Sequence, residues 1–134
     1  VENKKLQKRE IESGSASVLI VEDDPSVRKL AIGILKRGGY NVIESDSVEN
    51  AIEKAASFSD RLDLILTDVV MPGMKGPEVF ARIAEHHPEA KVLYMSGYTD
   101  DVIARQGILQ KGSGFIQKPF TVNGLLEKVI AVTK

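Results

Sequence analysis

Two groups of acids stand where strand-like runs end. The apolar run SVLIV (17 to 21) passes directly into Glu22, Asp23 and Asp24, and the run DLILT (63 to 67) passes into Asp68. If both runs are central parallel strands, their ends bring these carboxylates to one rim. Like charges that close are unfavourable unless a cation joins them or one acid keeps its proton. Oxygen ligands without sulfur or a neighbouring imidazole favour a hard ion such as Mg²⁺ over zinc. Two further runs end on Ser96, a hydroxyl donor, and on Lys118, a point cation, with Pro119 behind it. A rim of this kind can hold a dianionic group beside a metal. Covalent chemistry there needs a nucleophilic carboxylate, and Asp can form an aspartyl phosphate. The pattern alone does not fix which acid that is. Asp68 is the better candidate because it stands singly, with a tight turn at Met71, Pro72 and Gly73 behind it, while Glu22 and Asp23 read as a metal-holding pair.

The elements that must position these residues are marked by periodicity. Strand-length runs at 17 to 21, 40 to 44, 63 to 67, 91 to 95 and 114 to 117 alternate with helical patterns, the signature of an α/β domain. The first and third are apolar at consecutive positions, as parallel strands covered on both faces are. Asp24 and Pro25 read as the cap and first turn of a helix whose stripe is Val27, Leu30, Ile34 and Leu35, closed by Gly38 and Gly39. Asp46 with Glu49 reads as a capping box ahead of Val48, Ile52, Ala55 and Ala56. Pro77 opens a third helix with Val79, Phe80 and Ile83, which Pro88 shuts off. A less regular helix is expected from about 100 to 109, and a last one after Thr121 that buries Leu125, Leu126, Val129 and Ile130. Five strands and five helices imply a sheet with an order reversal, and ligands bind beyond the carboxyl ends of the strands at that point.

Composition narrows the function classes. The chain has 134 residues, enough for one domain and one core. Its 18 basic and 19 acidic side chains leave a net charge of -1, which gives no reason to expect direct nucleic-acid binding. There is no apolar stretch of membrane-spanning length, so membrane contact by this segment is not expected. Residues 1 to 16 are charged and then rich in small residues, and are expected to be a linker before a domain at 17 to 134; the first residue, Val1, is not Met, as expected of an excised piece. The absence of cysteine fits a cytoplasmic setting and excludes disulfides and thiolate metal sites. His86 and His87 are the only histidines, and they suit the negative end of the third helix better than a metal. Gly73, Gly76, Gly97, Gly112 and Gly114 are expected mainly to permit turns; they form neither GxGxxG nor a Walker loop, which disfavours a nucleotide site.

In combination, VLIVEDD (18 to 24), DLILTDVVMPGMKG (63 to 76), VLYMSG (92 to 97) and KPF (118 to 120) resemble the response-regulator receiver family, and the resemblance covers about residues 17 to 133. It implies a flavodoxin-like, doubly wound α/β fold with a five-stranded parallel sheet in the order 2-1-3-4-5. It also implies that Asp68 is the phosphoacceptor and Mg²⁺ the cofactor. Asp23 would bind the ion directly, Glu22 mainly through water, and the Val70 carbonyl would complete the set. Ser96 would turn toward the phosphoryl group, Lys118 would pair with it, and the Lys118-Pro119 bond would be cis. Phe115 matches an aromatic switch position that moves inward as Ser96 is drawn to the phosphate. A histidine kinase or a histidine phosphotransfer domain would be the donor, and the receiver would catalyse its own phosphorylation and dephosphorylation. The run from Tyr94 to Phe120 further resembles receivers at the carboxyl end of hybrid sensor histidine kinases, and no output domain follows Lys134, so that context is expected over a transcription regulator.

Other readings stay open at this point: a response-regulator receiver with a stand-alone or missing output domain, a degenerate receiver used only for binding, or an aspartate-nucleophile phosphatase. The last would want a second acid two residues after Asp68, where Val70 stands. Dimerisation through the fourth and fifth helices is undecided. Two departures from the family carry consequences. Phe115 lacks the hydroxyl of a tyrosine. Val70 and Tyr98, two residues beyond Asp68 and Ser96, offer no carboxamide or carboxylate to align water. Slow self-dephosphorylation is therefore the expected outcome, checked by following the decay of a phosphoryl adduct by intact mass after the donor is removed; rapid loss would contradict it.

Overall fold

The computed structural model describes residues 16–97 and 114–133. Within them the chain runs β1 (Ser17–Val21), α1 (Pro25–Arg37), β2 (Asn41–Ser45), α2 (Val48–Ser57), β3 (Leu64–Asp68), β4 (Val70–Met71), β5 (Met74–Lys75), α3 (Gly76–Ala84), β6 (Lys91–Ser96), β7 (Gly114–Gln117) and α4 (Val122–Thr133). The five long strands pair in parallel in the order β2-β1-β3-β6-β7, which is the expected 2-1-3-4-5 arrangement. Every residue of β1 and of β3 is buried, because side chains alternate between two covered faces. Val18, Ile20, Leu64 and Leu66 join Ile34 and Leu35 of α1 and Leu125 and Val129 of α4 in one core. Leu19, Val21 and Ile65 join Ala51 and Ala55 of α2 and Val79 and Ile83 of α3 in the other.

That pairing fixes where a site can form. From β1 the chain goes outward through α1 to β2, then returns past β1 to β3, so the strand order reverses between β1 and β3. The carboxyl ends of those two strands are followed or formed by Glu22 and Asp68. The fourth and fifth long strands end beside them: the Val69 amide donates to the Met95 carbonyl at 2.9 Å, and the Lys118 amide to the Ser96 carbonyl at 2.8 Å.

Local chemistry explains most of the boundaries. The Asp24 carboxylate accepts from the Ser26 amide at 2.9 Å, Pro25 opens α1, and Lys36 and Arg37 sit at its negative end. Behind Asp68 the chain makes a short antiparallel hairpin rather than a bare loop, with Met71 opposite Met74. Pro72 and Gly73 form its turn, and Gly73 supplies the φ of 82° that a side chain would resist. The Lys118-Pro119 bond is cis, as the resemblance implies.

Several expectations are corrected. The cap of α2 is Ser47, whose hydroxyl accepts from the Asn50 amide at 3.1 Å, not Asp46, because the helix begins one residue later than a box at Asp46 requires. Leu30 is 49% exposed, since Ala31 takes the buried place in the α1 stripe; Leu30 instead lines an apolar groove of about 320 Å³ with Val27 and Phe120. Ile130 is likewise exposed, because Leu125 and Val129 carry the α4 contact. The third helix stops at Ala84, so His86 and His87 lie beyond it. His87 is buried against Phe58, with Nε2 2.8 Å from the Ala55 carbonyl. The helix expected at 100 to 109, Tyr98, Gly112 and the first fifteen residues lie outside the described residues.

Gly33 and Gly76 separate the two uses of glycine. Gly33 is exposed in the middle of α1, and a Cβ added there would have nothing within 4 Å, whereas a Cβ on Gly76 would meet the Asp68 carbonyl oxygen at 2.6 Å. Gly33→Ala should therefore stabilise the fold by about 0.5–1 kcal/mol and Gly76→Ala should destabilise it by roughly 1–3 kcal/mol, both read from denaturant melts.

Candidate functional site

Glu22 is the first residue beyond β1 and is only 1% exposed, which would isolate a charge unless it were fully paired. Its Oε1 accepts from Lys118 Nζ at 2.8 Å, and its Oε2 from the Asp24 amide at 3.1 Å. Asp68, the last residue of β3, is 7% exposed, and its Oδ1 lies 2.5 Å from the same Lys118 ammonium. Asp23 is exposed at the mouth. One carboxylate oxygen from each of Glu22, Asp23 and Asp68 falls within 4.8 Å of the others, so the sheet assembles an all-oxygen cluster suited to a hard divalent cation.

The electrostatics follow from this crowding. Burial alone would raise the Glu22 carboxyl, but hydrogen bonds with Asp68, Lys118 and the Asp24 amide, with the charge of Lys118, hold it below its usual range. Asp68 is pushed up to about 7, first by burial and then by Glu22, with Lys118 opposing. Burial pulls Lys118 downward, yet its bonds to Asp68 and Glu22 keep the ammonium above its ordinary value. Without a metal, the pair therefore holds a proton to higher pH than an isolated carboxylate would, and Asp68 is the acid whose carboxyl is raised.

The remaining residues singled out from sequence are placed around this centre. Ser96 ends β6 next to Met95, the register partner of Asp68; its hydroxyl is buried and, among the described residues, makes no hydrogen bond. A buried hydroxyl without a partner is unfavourable by about 1–3 kcal/mol, so an acceptor placed beside Ser96 at the rim would be bound favourably. Val70 projects from the hairpin and is 57% exposed. Phe115 is half-buried, paired in register with Tyr94 and packed with Val69 and Val92.

Two residues were not legible as site residues. Gly76, expected to serve a turn, has no positive φ and is needed for space beside the Asp68 carbonyl. Arg28 reaches back from α1, and its Nη1 donates to the Glu22 carbonyl at 2.8 Å. Its only signal in the sequence is a cation one turn after an acidic run.

A doubly wound sheet that gathers buried acids and one lysine at its switch point defines a recognisable class. The chain matches the family model for the response regulator receiver domain over residues 18–130, and it belongs to that family. It is 37% identical to the sensor kinase CckA of Brucella abortus (strain 2308) over 94% of this chain, spanning 13% of that protein's length. It is 31% identical to the chemotaxis protein CheY of Treponema pallidum (strain Nichols), over 87% of this chain and 82% of that one. Among solved structures, the crystal structure of the receiver domain from the hybrid histidine kinase CckA superposes with a TM-score of 0.74 at 28% identity, covering 89% of this chain and all of that one.

The raised Asp68 carboxyl has a consequence for folding. Folded chains bind more protons than unfolded ones between its ordinary value of 3.8 and about 7, so its contribution to stability falls as pH rises through that window. In chelator at about pH 8, Asp68→Asn should melt several degrees above the parent, and the gap should close as pH falls toward about 4. Thermal melts across pH check this; a gap that is absent or grows on acidification contradicts it.

Proposed function

We propose that this chain is a phosphoacceptor module of a two-component phosphorelay, taking a phosphoryl group from a phosphohistidine onto Asp68. The observation that carries the reading is the Asp68 carboxylate, 2.5 Å from Lys118 Nζ and inside a cluster with Glu22 and Asp23. In the transfer, an Asp68 oxygen attacks phosphorus and the bond from phosphorus to the donor imidazole breaks. The imidazole nitrogen keeps the electron pair, and the carboxyl becomes an acyl phosphate. Lys118 pairs with a phosphoryl oxygen, and the Ser96 hydroxyl donates to another.

The three carboxylates suit Mg²⁺, with Asp23, Asp68 and the Val70 carbonyl as its ligands and Glu22 behind them. When bound, the ion neutralises charge on the transferring group. Glu22 meanwhile keeps the Lys118 ammonium on the rim, and burial of Asp68 keeps bulk water from the nucleophile. Movement of Ser96 toward the phosphoryl group leaves room for Phe115 to turn inward, which changes the face around β7 and α4.

The donor is a histidine kinase or a histidine phosphotransfer domain, and the likeness to a sensor kinase favours a receiver within a hybrid kinase. Residues 17 to 134 form the receiver and 1 to 16 a linker, working in the cytoplasm. No helix of the described residues is long and apolar enough to cross a membrane.

Incubating the chain with Mg²⁺ and a small phosphoryl donor should give a single phosphoryl adduct by intact mass. Asp68→Asn should give none, and Lys118→Ala should label more slowly by on the order of a hundredfold. An adduct that persists in Asp68→Asn, or its absence from the parent under conditions that label another receiver, would sink the assignment.

A further inference from the structure

We propose that Arg28 is a positioning residue for the acidic site, holding the peptide that joins Glu22 to Asp23 in the arrangement a divalent cation needs. This rests on the receiver reading, because it concerns how that site binds its ion.

Glu22 stands where the chain leaves the sheet. Its amide still reaches the Ser45 carbonyl, but at 3.3 Å, near the limit of a hydrogen bond. Its carbonyl has turned away from the strand ladder and accepts from Arg28 Nη1 at 2.8 Å. Its carboxylate is tied by Lys118 and by the Asp24 amide. Glu22 is thus held by its side chain on one side and by Arg28 on the other. Asp23 follows immediately and is exposed, so little packing aims its carboxylate and the backbone must do so.

Arg28 is itself well anchored. Its amide donates to the Asp24 carbonyl at 2.9 Å within the first turn of α1, and its side chain is 16% exposed. Its Nε lies 3.8 Å from the Glu44 carboxylate on β2, so one planar guanidinium joins the helix, the acidic loop and the neighbouring strand. A lysine has a single nitrogen and cannot make both contacts in that fork geometry. The Glu44 side chain is 62% exposed, which makes the ion pair the weaker of the two contacts.

A cation beside a metal site could act in either direction. As a charge it would repel Mg²⁺, and as a clamp it would favour binding. The carbonyl bond decides for the clamp: Arg28 points its guanidinium at the main chain and at Glu44, whereas the Glu22 carboxylate is held by Lys118 and the Asp24 amide. Removing Arg28 therefore loosens the Glu22 and Asp23 loop more than it relieves repulsion.

The test is an Mg²⁺ titration of the isotope-labelled full chain, followed by the amide NMR signals of Asp23 and Val70, with adduct formation by mass in parallel. Arg28→Gln should weaken Mg²⁺ binding about tenfold, equivalent to about 1.4 kcal/mol, and shift the metal-free Asp23 amide. Glu44→Gln should stay within about twofold of the parent. Ala31→Gly, which weakens α1 and its packing in the core by about 1–2 kcal/mol, should lower the melting temperature and leave Mg²⁺ affinity unchanged, separating positioning from general stability. Arg28→Lys should fall between parent and Arg28→Gln, and it carries the test if Arg28→Gln does not fold. Parent-like affinity in the folded Arg28 variants overturns the proposal and leaves the receiver reading standing. A parent chain that takes up neither Mg²⁺ nor phosphoryl overturns both.

Discussion

The structure depends on one electrostatic constraint: two buried carboxylates, Glu22 and Asp68, share the single ammonium of Lys118 at the open edge of the sheet. Neither acid could be buried alone as an ion at acceptable cost. The sheet brings them together because β1 and β3 are adjacent and parallel, and both are apolar enough to be covered on two faces. The lysine arrives from β7, two strands away from β3, and its backbone is kept in place by the hydrogen bond that its N–H donates to the Ser96 carbonyl. The site therefore exists only when β1, β3, β6 and β7 are all paired. Its charge balance and the strand order are one fact seen at two scales.

Much of this was legible because the boundary signals coincide with the chemistry. The first strand ends where five buried residues give way to an acidic run, and Asp24 with Pro25 closes the strand and opens the helix in two residues. The strand order followed from the alternation of elements together with the family resemblance. The five long strands were located within one residue at each end, since each run of β-branched, aliphatic or aromatic residues is bounded by glycine, proline or charged residues close to its ends.

What was not legible depends on neighbours distant in sequence. Leu30 and Ala31 are both acceptable members of an α1 stripe, and only the position of α4 and β1 decides that Ala31 is enclosed while Leu30 faces the groove beside Phe120. Ser47 displaces Asp46 as a cap through a one-residue difference that propensity does not resolve, because both types cap well. Gly76 looks like any turn glycine until the Asp68 carbonyl is placed against it. Arg28 looks like a surface cation until the chain is seen to carry the Glu22 carbonyl under it.

Charge counting connects the resting site to the proposed switch. With Asp68 ionised, its three carboxylates and one ammonium leave a charge of minus two, which a divalent cation cancels. Phosphorylation replaces the single charge on Asp68 with a group carrying about −1.5 to −2, so the balanced site becomes negative again while gaining three acceptor oxygens. Lys118 already meets two acids, which leaves one of its three N–H donors for a phosphoryl oxygen. Another uncommitted donor among the described buried groups is the Ser96 hydroxyl, which has no hydrogen-bond partner among the described residues. Under the proposed function, an acceptor that reached this hydroxyl would gain a hydrogen bond at the end of β6. Ser96 and Phe115 stand on adjacent paired strands, so relief at the first can change the packing available to the second. In the proposed switch, the same burial that makes the acids costly at rest would supply the differential interaction that a two-state response requires.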